Sequence, residues 1–355
     1  MDLLQFADDS TMSITSKTLK LALEMTEREL KKILEWLAVN KLIINLDKTN
    51  LMVFTYKRRT GTVSINAYGH IINEITKTKY LGVVIDNKLT WNAHIKHITN
   101  KISKSVSLLK MLKHTFPCRI LKSLYYSFVY PYFSYCNLIW GGAAKTHLES
   151  LILLQKKCVR IISKVGYYDH TAPLFLKLEL LTVEKIYDLN CAKFTFCSLN
   201  NIKHTEFSKR LATNGSFHNY QTRSRRHLRT PYVRLQKFMN SFINNGIKIW
   251  NSLPGHIKNI TTLPSFKNRA KQYILYKCTL CRLKEIGDQY HYLLVCPEFE
   301  IPRMEHIRRD YHSQPNKNKL TQLLQCQHSS EIIHLQKFMQ IICKKIKLFD
   351  PFING

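Results

Sequence analysis

The chain has 355 residues, 45% of them apolar, enough to build two or three domains with real cores, so wholesale disorder is excluded. Lysine and arginine number 54 against 24 aspartates and glutamates, a formal charge of +30. Self-repulsion on that scale in a compact state is relieved by an anionic partner. Eighteen Tyr and 17 Phe are threaded through the same segments, which points to nucleic acid rather than a membrane surface.

In chain order, Met1 to Ser10 carries Asp2, Asp8 and Asp9 but no basic stretch before an apolar core. It does not read as a secretory leader, so a reducing compartment, nuclear or cytoplasmic, is expected. Leu3 to Ala7 and Thr11 to Thr15 read as two short strands turning at Asp8-Asp9-Ser10. From Lys17 to Val39 the residues Leu19, Leu23, Leu30, Ile33, Leu34 and Leu37 keep helical spacing. Short β-like runs follow at Leu51 to Thr55, Val63 to Asn66 and Tyr80 to Ile85, with turns at Arg58 to Gly61, Tyr68 to His70 and Asp86-Asn87. The first ninety residues are therefore expected to be α+β.

After Trp91 helical periodicity takes over. Ile95, Ile98, Ile102, Val106, Leu109 and Leu112 form one stripe opposite Lys96, Lys101, Lys104 and Lys113. A helix over Ile120 to Tyr130 should stop before Pro131, and another near His147 to Lys164 shows Lys156, Lys157, Arg160 and Lys164 against the single acid Glu149. Such lysine faces are either solvated or track phosphates. Ser123 to Ala144 lacks charge but holds Pro131, Asn137, two glycines and several tyrosines, which suits an aromatic core better than a membrane span. From Asn200 to Thr230 periodicity is lost and Arg223, Arg225, Arg226 and Arg229 crowd together. This reads as a basic arm for RNA or DNA phosphates, a nuclear import signal or a solvated linker. Helices resume at Lys237 to Trp250 and Phe266 to Tyr276, and a last one is expected over Glu331 to Phe349.

Ten cysteines in so long a chain are not a disulfide scaffold; Cys118, Cys136, Cys158, Cys191 and Cys197 lie among apolar residues, as core thiols do. One group has ligand spacing: Cys278, Cys281, His291 and Cys296, in the order Cys-x2-Cys-x9-His-x4-Cys. Four soft or borderline donors so spaced suit a closed, structural Zn²⁺ site, against the plainer reading of buried thiols beside an incidental histidine. Arg282, Tyr290 and Tyr292 beside them could meet RNA or could complete the packing of the module.

Phe6-Ala7-Asp8-Asp9 alone would be an ordinary turn. Its context says more. An aromatic residue, any residue and two aspartates on a hairpin precede an amphipathic helix ending near Trp36. Then come Asn40-Lys41-Leu42, Asn45, Lys48-Thr49, a strand, and Lys79-Tyr80-Leu81-Gly82-Val83. This succession resembles the later palm motifs of reverse transcriptases, most closely those of non-LTR retrotransposons of the jockey and CR1 kind. Asp86 to Trp91, Tyr130 to Trp140, Gln155 to Ile162 and the tail motif Trp250-Asn251-Ser252-Leu253-Pro254 with Phe266-Lys267 extend the likeness over most of the chain.

The resemblance implies the later half of a palm (1–90), a helical thumb (91–200), a basic connector (201–277), a zinc-knuckle-like module (278–300) and C-terminal helices (301–355). It also implies Mg²⁺ carboxylates at Asp8 and Asp9 and a Lys48 that approaches the leaving pyrophosphate. Tyr80, Leu81 and Gly82 would form a primer grip, with Phe6 where the family usually has Tyr. Two-metal phosphoryl transfer needs carboxylates from more than one strand, and the only acid before Asp8 is Asp2, on the hairpin's own strand. The chain is therefore expected to be a carboxyl-terminal piece that binds primer-template or element RNA without polymerising alone. The alternative is a non-enzymatic RNA- or DNA-binding module of the same ancestry. Neither reading requires a small-molecule substrate beyond nucleotides, and no phosphate loop, Ser-His-Asp set or His-Glu-x-x-His helix supports another enzyme class.

Overall fold

The computed structural model describes residues 1–349 except 60, 68, 203–204, 218–219, 223, 233, 278–279, 281–286 and 288. By compactness the chain divides into residues 1–97 and 98–355.

The first unit is built on three hairpins and one long helix. β1 (Asp2–Phe6) pairs antiparallel with β2 (Asp9–Ser13), and α1 (Leu19–Val39) follows, capped by the Thr18 side chain, which accepts from the Leu21 N–H (3.3 Å). β3 (Ser64–Ala67) then pairs with β4 (His70–Asn73), and β5 (Lys77–Tyr80) with β6 (Val83–Asp86). Among the described residues these remain three separate two-stranded sheets. Leu30 of α1 packs on Ile65 and Ala67 of β3 and Ile72 of β4, with Met12, Leu23, Leu34 and Leu51 around them. Glu27 of α1 accepts the Asn66 N–H (3.0 Å), and Glu74 pairs with Arg59, so polar groups also tie this layer together.

Several expectations are corrected. The first turn lies at Ala7-Asp8, since Phe6 pairs with Asp9; Ala7 takes the positive φ of 53° that a two-residue hairpin loop demands. Leu51 to Thr55 forms no strand. Leu51 makes only an isolated parallel bridge to Glu74. The run Tyr80 to Ile85 is broken by a turn, because Leu81 (φ 44°) and Gly82 (φ 80°) are both left-handed, the geometry that reverses a twisted ribbon in two residues. β4 starts at His70, within the expected turn, because Ala67 pairs directly with His70.

The second unit is helical. α2 (Asn92–Leu112), in which the division between units falls, buries the Ile95, Ile98, Ile102, Val106 and Leu109 stripe. α3 (Cys118–Phe128) stops before Pro131, as expected, and a separate short helix, α4 (Tyr130–Ser134), takes Pro131 into its first turn, where proline fits. α5 (Asn137–Trp140), α6 (Lys145–Ile162) and α7 (Ala172–Lys177) lead into α8 (Val183–Leu199). Tyr125, Val129, Phe133 and Trp140 are fully buried, the expected aromatic core, and among the described residues no helix is long and apolar enough to cross a membrane. Cys158, Cys191 and Cys197 are buried as expected, but Cys118 is exposed at the start of its helix.

α8 is the axis of this unit, packed by α4, α5, α6, α11 and α13 once the later helices are in place: α9 (Thr205–Ser208), α10 (Gln236–Met239), α11 (Phe242–Ser252), α12 (Gly255–Lys258) and α13 (Leu263–Tyr276). At Gly246 of α11 an added Cβ would lie 2.5 Å from Thr195 Oγ1 of α8, so only glycine permits that approach. Gln155, fully buried on α6, donates to Tyr125 Oη and the Leu181 carbonyl and accepts from the Val183 N–H, all at 2.9 Å, fastening α8 to α3 and α6. The final stretch holds α14 (Glu300–His306), α15 (Arg309–His312), α16 (Lys317–Leu324) and α17 (Ser329–Phe349).

Candidate functional site

Directly opposed residues of an antiparallel pair share a face. Phe6 and Asp9 therefore lie on one side of the first hairpin, while Met12, on the other side, joins the Leu30 cluster. Phe6 is 65% exposed, and Asp8 and Asp9 are exposed with no side-chain hydrogen bond or ion pair among the described residues. Among those residues no group of three His, Cys, Asp or Glu side chains gathers into a metal site. Two carboxylates alone do not make a cage for two cations.

Lys48 ends a short 3₁₀ turn, Leu46–Lys48, that Asn45 organises by accepting the Lys48 N–H at its side-chain oxygen (3.2 Å). No hydrogen bond or ion pair joins Lys48 to Asp8 or Asp9 among the described residues. Tyr80, Leu81 and Gly82 form the tip of the β5–β6 hairpin. The left-handed Leu81 there holds about 1–2 kcal/mol of backbone strain. Beyond it, the Asp86 carboxylate accepts the N–H groups of Lys88, Thr90 and Trp91 at 2.9–3.1 Å, which is why an aspartate stands five residues before the tryptophan that leads into α2. His94, in the first turn of α2, accepts the Val84 N–H at Nδ1 (3.3 Å); burial first, and His97 second, push its pKa down to about 4.

Lys101 and Lys104 are exposed on α2, opposite its buried stripe, and Lys157 is exposed on α6. Lys156 and Arg160 are half-buried, and the Arg160 Nε donates to the Asp169 carbonyl (2.8 Å), so Arg160 anchors a loop as well as carrying charge. Arg225, Arg226 and Arg229 do not sit on a structureless arm. Thr213 bridges Leu228, the Arg229 N–H donates to the Ala212 carbonyl (2.8 Å), and the Arg229 guanidinium lies 4.0 Å over the Phe217 ring. Arg225 is half-buried against Gly215, and Arg226 is exposed. Arg223 lies outside the described residues. Asn251 of the Trp-Asn-Ser-Leu-Pro motif explains the order: its side-chain amide donates to the Leu228 carbonyl (2.8 Å) and its oxygen accepts the Leu228 N–H (2.9 Å).

Of the zinc-type donors, His291 opens a π-helical turn, His291–Val295, and Cys296 caps its end; both are buried, and the Cys296 N–H donates to the His291 carbonyl (2.6 Å). Cys278 and Cys281 lie outside the described residues, as does Arg282. The turn is part of a larger core, with Leu293, Leu294, Cys296 and Phe299 packed on Ile307, Leu323, Phe338 and Ile342. Residues 293–299 and the later helices therefore share one core. Arg303, only 5% exposed, donates to the carbonyls of Leu293 (2.7 Å), Cys296 (2.7 Å) and Tyr292 (3.5 Å) and so closes the turn. Burial lowers its pKa, and Cys296 and Glu300 nearby oppose that shift. A lone arginine twelve residues after His291 carries no local pattern that would mark this role.

Known proteins related to this chain fall in one class. Its homologues are RNA-directed DNA polymerases of jockey-type, non-LTR mobile elements, matching about half of the chain at 27–30% identity. It is 30% identical over 184 residues to the probable RNA-directed DNA polymerase from transposon BS of Drosophila melanogaster, a match covering 51% of this chain and 20% of that protein. Similarity to the RNA-directed DNA polymerase from mobile element jockey of the same fly is 30% over 183 residues, covering 49% and 19%. The probable polymerase from transposon X-element of that species matches at 28% over 182 residues, covering 50% and 20%. The matched stretch thus spans about a fifth of each relative's length. No protein-family model matches the chain, and no solved structure matches it.

Proposed function

We propose that this chain is the later part of a non-LTR RNA-directed DNA polymerase: the second half of a palm (1–90), a helical thumb (91–200), a basic connector (201–277), a zinc-binding module (278–300) and C-terminal helices (301–355). The observation that carries this reading is the similarity of half the chain to such polymerases. The charge of +30 and the exposed lysines of α2 and α6 support a nucleic-acid partner, a primer-template or element RNA. Asp8 and Asp9 are, on this reading, two carboxylates of a Mg²⁺ site that a further strand must complete before phosphoryl transfer is possible. In this reading Lys48 faces the leaving pyrophosphate, Phe6 stacks near the primer end, and Tyr80, Leu81 and Gly82 grip the primer. The protein acts in the nucleus or cytoplasm.

Purified chain with Mg²⁺ or Mn²⁺ is expected to give no extension of primed RNA, while binding it with an affinity that falls steeply with salt and is unchanged in Asp8→Ala. Synthesis by the chain alone would overturn the inactive assignment, and failure to bind RNA or DNA in dilute buffer would overturn the whole reading. Zinc on Cys278, Cys281, His291 and Cys296 would contribute roughly 10 kcal/mol to local folding. Cys281→Ser is expected to lose one equivalent of zinc by elemental analysis; unchanged metal content dismisses the site.

A second reading, a nucleic-acid-binding module with no chemistry, is favoured by the absence of a third carboxylate near Asp8 and Asp9 among the described residues. Extension activity that appears when an earlier palm segment is added, and disappears in Asp8→Ala, would eliminate it.

A further inference from the structure

The loop after α6 displays two aromatic rings that the fold does not use. Tyr167 is 65% exposed and Tyr168 is 90% exposed, their rings meeting edge to face with centroids 5.1 Å apart. Full exposure of one ring in water is unremarkable, but this pair is held by an ordered scaffold. The Gly166 N–H donates to the Asp169 carboxylate (2.6 Å), the Asp169 N–H to the Gly166 carbonyl (3.4 Å), and Arg160 Nε to the Asp169 carbonyl (2.8 Å). From just beyond the end of α2, Lys113 Nζ donates to the Val165 carbonyl (3.0 Å). The Arg160 guanidinium also lies 5.9 Å from the centre of the Tyr167 ring.

The surroundings are cationic. Lys157 and Arg160 stand three apart on α6, Lys164 is exposed beyond the helix end, and Asp169 is the one acid between residues 156 and 170. Its carboxylate accepts an N–H of its own loop, and it stands as a single acid among Lys157, Arg160 and Lys164. A preset aromatic face flanked by positive charge complements a polyanion that carries flat, apolar rings. Bases inside a duplex offer no free face to such a ring, whereas unpaired bases do.

We infer that Tyr167 and Tyr168 form a stacking platform for unpaired bases of a single-stranded nucleic acid, with Lys157 and Lys164 neutralising the neighbouring phosphates. The inference rests on the nucleic-acid reading above and locates where the single-stranded portion is held. The test uses the full chain, with fluorescently labelled oligouridylate and an RNA duplex as probes in parallel anisotropy titrations. Tyr168→Ala should weaken oligouridylate binding about tenfold or more. It should leave duplex affinity and the salt dependence unchanged, because no charge is removed. Tyr168→Phe should bind like the native chain. Equal oligouridylate affinity in Tyr168→Ala and the native chain overturns the platform while leaving the nucleic-acid reading intact, and so does a Tyr168→Phe loss as large as that of Tyr168→Ala. A native chain that binds neither probe overturns both.

Discussion

The two units bury apolar surface by different means. In residues 1–97 the helix α1 covers the β3–β4 hairpin through a small buried cluster of Leu30, Ile65, Ala67 and Ile72, while Leu3, Leu4, Phe6, Trp36 and Ile43 stay exposed. In residues 98–355 α8 is surrounded by other helices and buries residues on every side, among them Ile186, Leu189, Cys191, Phe194 and Phe196. Two-stranded ribbons are marginal by themselves, whereas a helix enclosed by helices reaches native packing from its own unit. The contrast predicts that the first unit opens at lower free energy and that the same kind of substitution is felt differently in each.

The largest effect is expected in the second unit from Gln155→Leu. It leaves Tyr125 Oη, the Leu181 carbonyl and the Val183 N–H buried without partners, a cost of about 3–5 kcal/mol read from urea unfolding. A change below about 1 kcal/mol would mean that water replaces the amide. Leu30→Ala should cost about 2–3 kcal/mol in the first unit, at the low end for a core leucine because the layer is thin. Hydrogen exchange should show the loss confined to residues 1–97, and loss of protection along α8 would break the comparison.

A gain is expected next. Asp188 of α8 has its carboxyl pushed up to about 6, by burial first and Glu184 second, from an ordinary 3.8. Its protonation stabilises the fold below about pH 4, and that contribution is lost as pH rises through 6. Asp188→Asn should therefore raise stability by about 1–2 kcal/mol at pH 7.5, with the gain gone at pH 4. The smallest effect belongs to His94, whose depressed pKa works in the opposite sense. Stability from the neutral ring is complete above about pH 6.5 and is lost as pH falls toward 4. His94→Gln should remove about 1 kcal/mol of the difference in first-unit stability between pH 7.5 and 5.5, measured by hydrogen exchange in residues 1–97. An unaltered pH profile would place that sensitivity elsewhere.

Amphipathic elements were legible in the sequence, because α1, α2 and α6 each alternate one apolar stripe with charge. α8 was not, since a helix buried all round has no polar face to mark its period. Two-residue turns were misjudged where the turn residue was not glycine or asparagine: Ala7 and Leu81 occupy left-handed positions that their side chains disfavour. The Asp8-Asp9 pair was visible as a motif, and so was the want of a carboxylate from an earlier strand, because Asp2 lies on the hairpin's own strand. The arginine-rich stretch had no periodicity, yet it is ordered through Asn251, twenty-three residues from the backbone it pairs with. Long-range side-chain pairing of that kind leaves no local trace.

The burial of thiols along the axis of the second unit gives the protein internal chemical clocks. Surrounding apolar groups raise the Cys191 thiol and push Cys158 up to about 12, so neither supplies thiolate while the helices stay closed. An alkylating reagent will mark these sulfurs only in the moments when the bundle parts, and the rate of that marking is a direct gauge of how often it does.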